Sequence, residues 1–244
     1  MKNQKIVETP KIKADTVCHI LLDMSGSMLG IASATREGLN NYINTMKEDK
    51  SDDIVLVSVT VFDSEGWHGD IKVHIDTIMD MVPLNDVPEI TEEHYKPRGG
   101  TPMYDGIGKV VGRTEGALEG IEGSPEVLLV IITDGDENTS QEFKQHEIKA
   151  LLETKEGQGW STIYLGANQD AWAVGSSLGI NSGNVKAYSA TVAGIKDDVF
   201  ASVANATTCY RAAKIGAKAD GLGESFTTKS FFAGDTMTEG KTEE

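Results

Sequence analysis

Positive charge is scarce in this chain of 244 residues. Its 22 lysines and arginines are outnumbered by 38 aspartates and glutamates, giving a formal net charge of −16. Nucleic acid and anionic membrane surfaces both call for clustered cations, so neither is expected as a partner. Acidity of this kind favours solubility and is no evidence for a metal. Cysteine is also rare, at two residues. Cys18 falls in an apolar segment and Cys209 on a helical face, positions where Cys usually acts as a small buried hydrophobe. The chain therefore reads as reduced and intracellular, with a cytoplasmic location expected. Long apolar runs are missing: "VLLVII" at 127–132 is strand-sized, far short of a bilayer span. The first residues, "MKNQKIVETPKIKAD", lack the apolar stretch of a secretory signal. G-x-S-x-G and Walker A signatures are absent as well.

What is present is an alternation of strands and helices. "TVCHILLD" (16–23) is a short apolar run ending on a carboxylate, as a buried parallel strand would. Ile31, Thr35, Leu39, Ile43 and Met46 then recur at helical spacing, predicting a helix over 31–48. "DIVLVSVTVFD" (53–63) reads as a second central strand, and "GDIKVHID" (69–76) as an alternating edge strand. Residues 77–100, with three prolines, read as loop with one helical turn. Thr101 followed by Pro102 fits an N-cap with proline in the first helical position. The helix it opens buries Met103, Ile107, Val110, Val111, Thr114 and Leu118. "PEVLLVIITDGDEN" (125–138) contains the strongest strand. Thr139 and Glu142 have capping-box spacing for a helix running to about 155. "STIYLGAN" (161–168) is another strand, with Asn168 placed to cap a helix through Leu178 that Gly179 ends. "NVKAY" is a short last strand. A final helix to about 214 would bury Val192, Ile195, Val199, Val203 and Ala206.

This order predicts an α/β fold: three layers, doubly wound, with helices on both faces of a mostly parallel sheet and one antiparallel edge strand. The expected division is an N-terminal extension over 1–15, one domain over 16–214, and a polar C-terminal tail over 215–244.

Two of the strands end on aspartate, Asp23 and Asp134, and the first continues as "DMSGSM". Alone, Asp23, Ser25 and Ser27 suit an ordinary polar turn, a phosphate-handling loop or part of a cation site. Ligands of open parallel sheets bind beyond the carboxyl ends of the strands. Asp23, Ser25, Ser27, Thr101 and Asp134 can all reach that edge. An all-oxygen set suits a hard ion, Mg²⁺ or Mn²⁺ first and Ca²⁺ second, rather than Zn²⁺.

"DMSGSM" matches the D-x-S-x-S signature of von Willebrand factor A (vWA) domains, and "GGTPMYDGI" and "ITDGDEN" resemble what those domains carry later in the chain. The resemblance covers roughly 16–214 and implies a Rossmann-like vWA fold with a metal-ion-dependent adhesion site (MIDAS). It implies that Ser25, Ser27 and Thr101 offer hydroxyl oxygens to the ion, while Asp23 and Asp134 bind directly or through water. It further implies metal-mediated protein binding rather than catalysis, with a partner's Asp or Glu, or that of another copy of the chain, completing the shell. Asp136 and Glu137, beside the site, would tune or repel an acidic ligand. Compact domains of this kind are expected in bacteria and their phages. One rival is an Mg²⁺-dependent phosphatase of the haloacid-dehalogenase type, but those use D-x-D, and Ser25 stands at the second position. His19, His68, His74, His94 and His146 show no convergence on the site. The other rival is an assembly subunit docking through the 77–100 loop or the tail, with Trp67 and Trp172 as candidate contacts.

Overall fold

A computed structural model describes residues 11–49, 51–66, 69–167, 171–219 and 231–232, without the side chains of 196–198 and 214–219. The expected Asn168 cap, Trp67, His68 and most of the two terminal segments lie outside the described residues. In chain order the elements are β1 (Ile12–Lys13), β2 (Thr16–Asp23), α1 (Ala32–Glu48), β3 (Val55–Glu65), β4 (Lys72–Pro83) and α2 (Met103–Leu118). They continue with β5 (Ile121–Glu122), β6 (Glu126–Thr133), α3 (Gln145–Gly157), β7 (Ser161–Ala167), α4 (Ala171–Ser177), β8 (Val185–Tyr188) and α5 (Ala201–Ala219).

Six strands form the main sheet in the order β4-β3-β2-β6-β7-β8. Only β3 and β4 pair antiparallel; the other neighbours are parallel. β2 is buried along its whole length, since β3 and β6 flank it and helices cover both faces. Its side chains alternate between two cores. Cys18, Ile20 and Leu22 pack with Leu39 and Tyr42 of α1 and Val203 of α5. Val17 and Leu21 pack with Met103, Ile107 and Val110 of α2 and Ile148 of α3. His19, on the second face, is 1% exposed and held between Thr114 and Thr60, each 2.8 Å from a ring nitrogen.

Several local expectations change. β4 runs through Pro83, so 77–83 is strand rather than loop. A register shift in its pairing with β3 and a positive φ of 49° at Met81 break the period-two pattern that marks a strand in sequence. A single short turn, Leu84–Asp86, follows. α3 starts at Gln145, not after Thr139, and Glu147 accepts the Lys144 amide at 2.8 Å. The loop before it is held open by carboxylates described below. The last helix opens with a wide π-type turn over Gly194–Phe200 and runs on to Ala219. Ile195, Val199, Val203 and Ala206 are buried in it as expected, whereas Val192 is 58% exposed. Cys209 is exposed rather than buried, and both cysteines are free thiols. Within the segment expected to be polar tail, Phe231 is 5% exposed against the core, with its amide donating to Asn184 Oδ1 at 3.0 Å.

Candidate metal centre

Parallel pairing of β2 with β6 brings the loops that follow both strands to the same edge of the sheet. Asp23 closes β2 at 0% exposure. Its Oδ1 accepts the Ser25 amide at 2.7 Å and its Oδ2 accepts the Thr133 hydroxyl at 2.6 Å, which fixes the carboxylate. Tyr95, fully buried, donates to the Asp23 carbonyl at 2.7 Å and anchors the strand end from the other side. Ser25 Oγ lies 3.1 Å from Ser27 Oγ, and Ser27 Oγ donates to Asp134 Oδ1 at 2.6 Å.

Thr101 does not cap its helix; α2 begins at Met103 with no side-chain cap bond. The first-turn amides of α2 are served from the loop after β6 instead. Glu137 Oε2 accepts the Tyr104 amide at 2.9 Å and Ser140 Oγ accepts the Asp105 amide at 3.1 Å. That leaves the Thr101 hydroxyl at the site. A methyl carbon built on Gly135 would lie 3.1 Å from Thr101 Oγ1, 3.6 Å from Ser27 Oγ and 3.8 Å from Asp23 Oδ2. One point beside Gly135 is thus within 4 Å of three of the five predicted oxygens, and hydrogen bonds tie Ser25 and Asp134 to that group. The cluster grades from buried Asp23, Ser25 and Thr101 to exposed Ser27, so it is open to solvent on one side.

Electrostatics favour a cation here. Burial pushes the Asp23 carboxyl up to about 6, although the Thr133 and Ser25 hydrogen bonds oppose the rise and the Asp134 carboxylate adds to it. Burial also raises Asp134. Among the described residues neither carboxylate has an ion-pair partner. Arg98, which precedes the Thr101 loop, is committed to Asp63 at 2.7 Å and to Glu65. No three His, Cys, Asp or Glu side chains gather as a metal-holding group among the described residues. The candidate site instead brings two carboxylates near three hydroxyls, an oxygen-only set of the kind that suits a hard dication.

Sequence reasoning missed the groups that hold these oxygens in place. Arg98 N donates to the Met24 carbonyl at 2.8 Å, Gly26 N to Gly99 O at 3.0 Å, and Gly100 exchanges two 3.1 Å backbone bonds with Ser64. Gly99 has φ +60°, and a side chain there would begin 1.5 Å from the Ser64 carbonyl, so only glycine fits. The "RGG" before Thr101 was the available signal for this strap; Tyr95 and Thr133 gave none. Glu137 faces inward, where it also accepts the Thr139 and Ser140 amides at 2.9 and 2.8 Å. It is therefore a loop anchor and not a free charge beside the site; Asp136 is exposed.

Among solved structures, the chain resembles the pilus adhesin SpaC from Lactobacillus rhamnosus GG in its open conformation, with a TM-score of 0.56 and 13% identity, over 82% of this chain and 30% of that one. It also resembles proximal thread matrix protein 1 of the mussel byssus, with a TM-score of 0.53 and 11% identity, over 80% of this chain and 45% of that one. The chain has the vWA fold. At these identities the likeness is one of fold, and the chain spans less than half the length of either protein. A further structure of the mussel protein has its MIDAS motif occupied by zinc; its TM-score is 0.49 at 16% identity, over 77% of this chain and 46% of that one. No family model matches the sequence, and no curated protein does. On this vWA frame the sheet edge that carries Asp23 and Asp134 is also the one crossed by the Thr101 loop. Among the described residues no helix is long and apolar enough to cross a membrane.

Proposed function

We propose that the chain is a divalent-cation-dependent protein-interaction module, and not an enzyme. Asp23, Ser25, Ser27, Thr101 and Asp134 would hold Mg²⁺, with Mn²⁺ or Ca²⁺ as substitutes. The observation that carries this reading is the single point beside Gly135, within 4 Å of Thr101 Oγ1, Ser27 Oγ and Asp23 Oδ2. A bound dication there supplies an electrophilic centre that accepts a carboxylate oxygen. The chain's own residues do the rest. Asp23 and Asp134 would offset the two charges of the dication, while the three hydroxyls add no charge and are weak donors, so the ion keeps its affinity for a further anionic oxygen. Exposed Ser27 marks the open side, from which an Asp or Glu side chain of a partner protein, or of a second copy of this chain, approaches. Without the ion, the same carboxylates repel an acidic partner.

A phosphatase-like reading needs an acid two residues after Asp23, and Ser25 occupies that position. His19 is spent on Thr60 and Thr114, and His94 on Thr91. Calorimetric titration of Mg²⁺ into the protein tests the proposal. Asp23→Ala and Thr101→Ala should abolish binding while circular dichroism stays that of an α/β protein. Unchanged Mg²⁺ affinity in both variants would overturn it.

A further inference from the structure

Asn138 forms half of a clasp between the two loops that must meet at the centre. Its side-chain Oδ1 accepts the Thr101 amide at 2.9 Å, and its own amide donates to the Thr101 carbonyl at 3.1 Å. The pair joins the loop carrying Asp134 to the residue whose hydroxyl faces it. The approach is close: a methyl on Gly100 would lie 2.8 Å from Asn138 Oδ1 and 2.8 Å from Ser64 Oγ. A second, independent set of bonds docks the same loop onto α2. The Asp105 carboxylate, 1% exposed, accepts the amides of Gln141, Glu142 and Phe143 at 2.8, 3.0 and 2.8 Å. Glu137 and Ser140 bind the first turn of α2 from that loop. Loop docking therefore does not depend on the Asn138 side chain, whose loss removes one of the two clasp bonds and leaves the Thr101 amide without that acceptor.

We infer that Asn138 is a positioning residue for the metal centre, setting the Thr101 hydroxyl closely enough to favour Mg²⁺ over Ca²⁺. The inference rests on the metal-binding reading above. Mg²⁺ demands near-octahedral geometry at short distances, whereas Ca²⁺ accepts longer, variable bonds and irregular shells. A Thr101 free to drift penalises the smaller ion first. Outer-shell partners of metal ligands typically carry about 10–100-fold in affinity. Asn138 itself touches no ion; it acts through the Thr101 backbone.

The test is titration of Mg²⁺ and of Ca²⁺, separately, into the full chain and two variants. Asn138→Ala deletes the Oδ1 acceptor, and Mg²⁺ affinity should fall about tenfold or more while Ca²⁺ affinity changes about twofold or less. Asn138→Asp keeps the acceptor and adds a negative charge, which strengthens both dications together and cancels in their ratio. Its Mg²⁺-to-Ca²⁺ preference should therefore match the parent. The inference is overturned if Asn138→Ala keeps the parent's preference, or if Asn138→Asp loses it as the alanine variant does. Should Asn138→Ala fail to fold, Asn138→Leu, which also lacks the acceptor for the Thr101 amide but keeps the side-chain bulk, takes its place with the same expectation. A parent protein that binds neither ion defeats the metal-binding reading itself, and the positioning role falls with it.

Discussion

Gly135→Ala separates the stability of the fold from the function of the centre, because its effects on the two should differ. Gly135 is not in the left-handed region, so alanine is conformationally allowed there. Replacing glycine at a compatible position gains about 0.4–1 kcal/mol through the unfolded chain. The new methyl would sit 3.1 Å from Thr101 Oγ1, tight enough to give part of that back. Metal-free stability should stay within about 1 kcal/mol of the parent. The same methyl fills the space shared by Thr101, Ser27 and Asp23, which is the space proposed for the cation. Thermal unfolding with and without Mg²⁺ reads both effects. At an Mg²⁺ concentration of 100 times Kd, linkage stabilises the parent by about 2.7 kcal/mol. For a chain of this size that raises Tm by about 5–11 °C. Gly135→Ala should show a parent-like Tm without metal and no rise with it. A variant that keeps the full Mg²⁺-dependent rise would place the ion elsewhere. One that loses several kcal/mol without metal would show that Gly135 serves the fold instead.

Two further predictions concern the frame beneath the site. Burial pushes the His19 imidazole down to about 4, with Asp80 raising it and Arg113 lowering it by lesser amounts. A base depressed in the folded state contributes stability above its unfolded pKa of about 6.5 and loses it as pH falls through the folded value. Urea unfolding should show the parent losing about 3 kcal/mol more than His19→Gln between pH 7 and pH 4. Equal losses would mean that His19 is not held neutral. Phe231→Ala should cost about 3 kcal/mol in the same assay at pH 7, as expected for truncating a buried aromatic. A change under about 0.5 kcal/mol would show that Phe231 does not pack against the core.

The frame was legible because its signals are local. A strand covered on both faces must be mostly apolar, and β2 and β6 are, apart from His19 and their end residues. A helix lying on such a sheet must repeat its apolar residues every three to four positions, as α1 does. The far half of β4 was not legible, because its bulge breaks the alternation and Pro83 ends it. The Thr139 capping box failed for a different reason. Capping spacing marks an affinity for backbone amides, and the amides of 139–143 are taken by Glu137 from the same loop and by Asp105 from α2. That Asp23, Ser25, Ser27, Thr101 and Asp134 gather at one sheet edge could be read from motif and topology together. Of their supports, Tyr95 stands alone in the sequence, while Thr133 and Asn138 lie within "ITDGDEN" with no periodicity to mark their roles.

The most direct test of the account is an anomalous-difference map from crystals of the protein grown with Mn²⁺. The account predicts one peak beside Gly135, within bonding distance of hydroxyl oxygens from Ser25, Ser27 and Thr101, with Asp23 and Asp134 bound directly or through water and one coordination position facing solvent. A map without a peak there at saturating Mn²⁺, or with its strongest peak at another cluster, would contradict it.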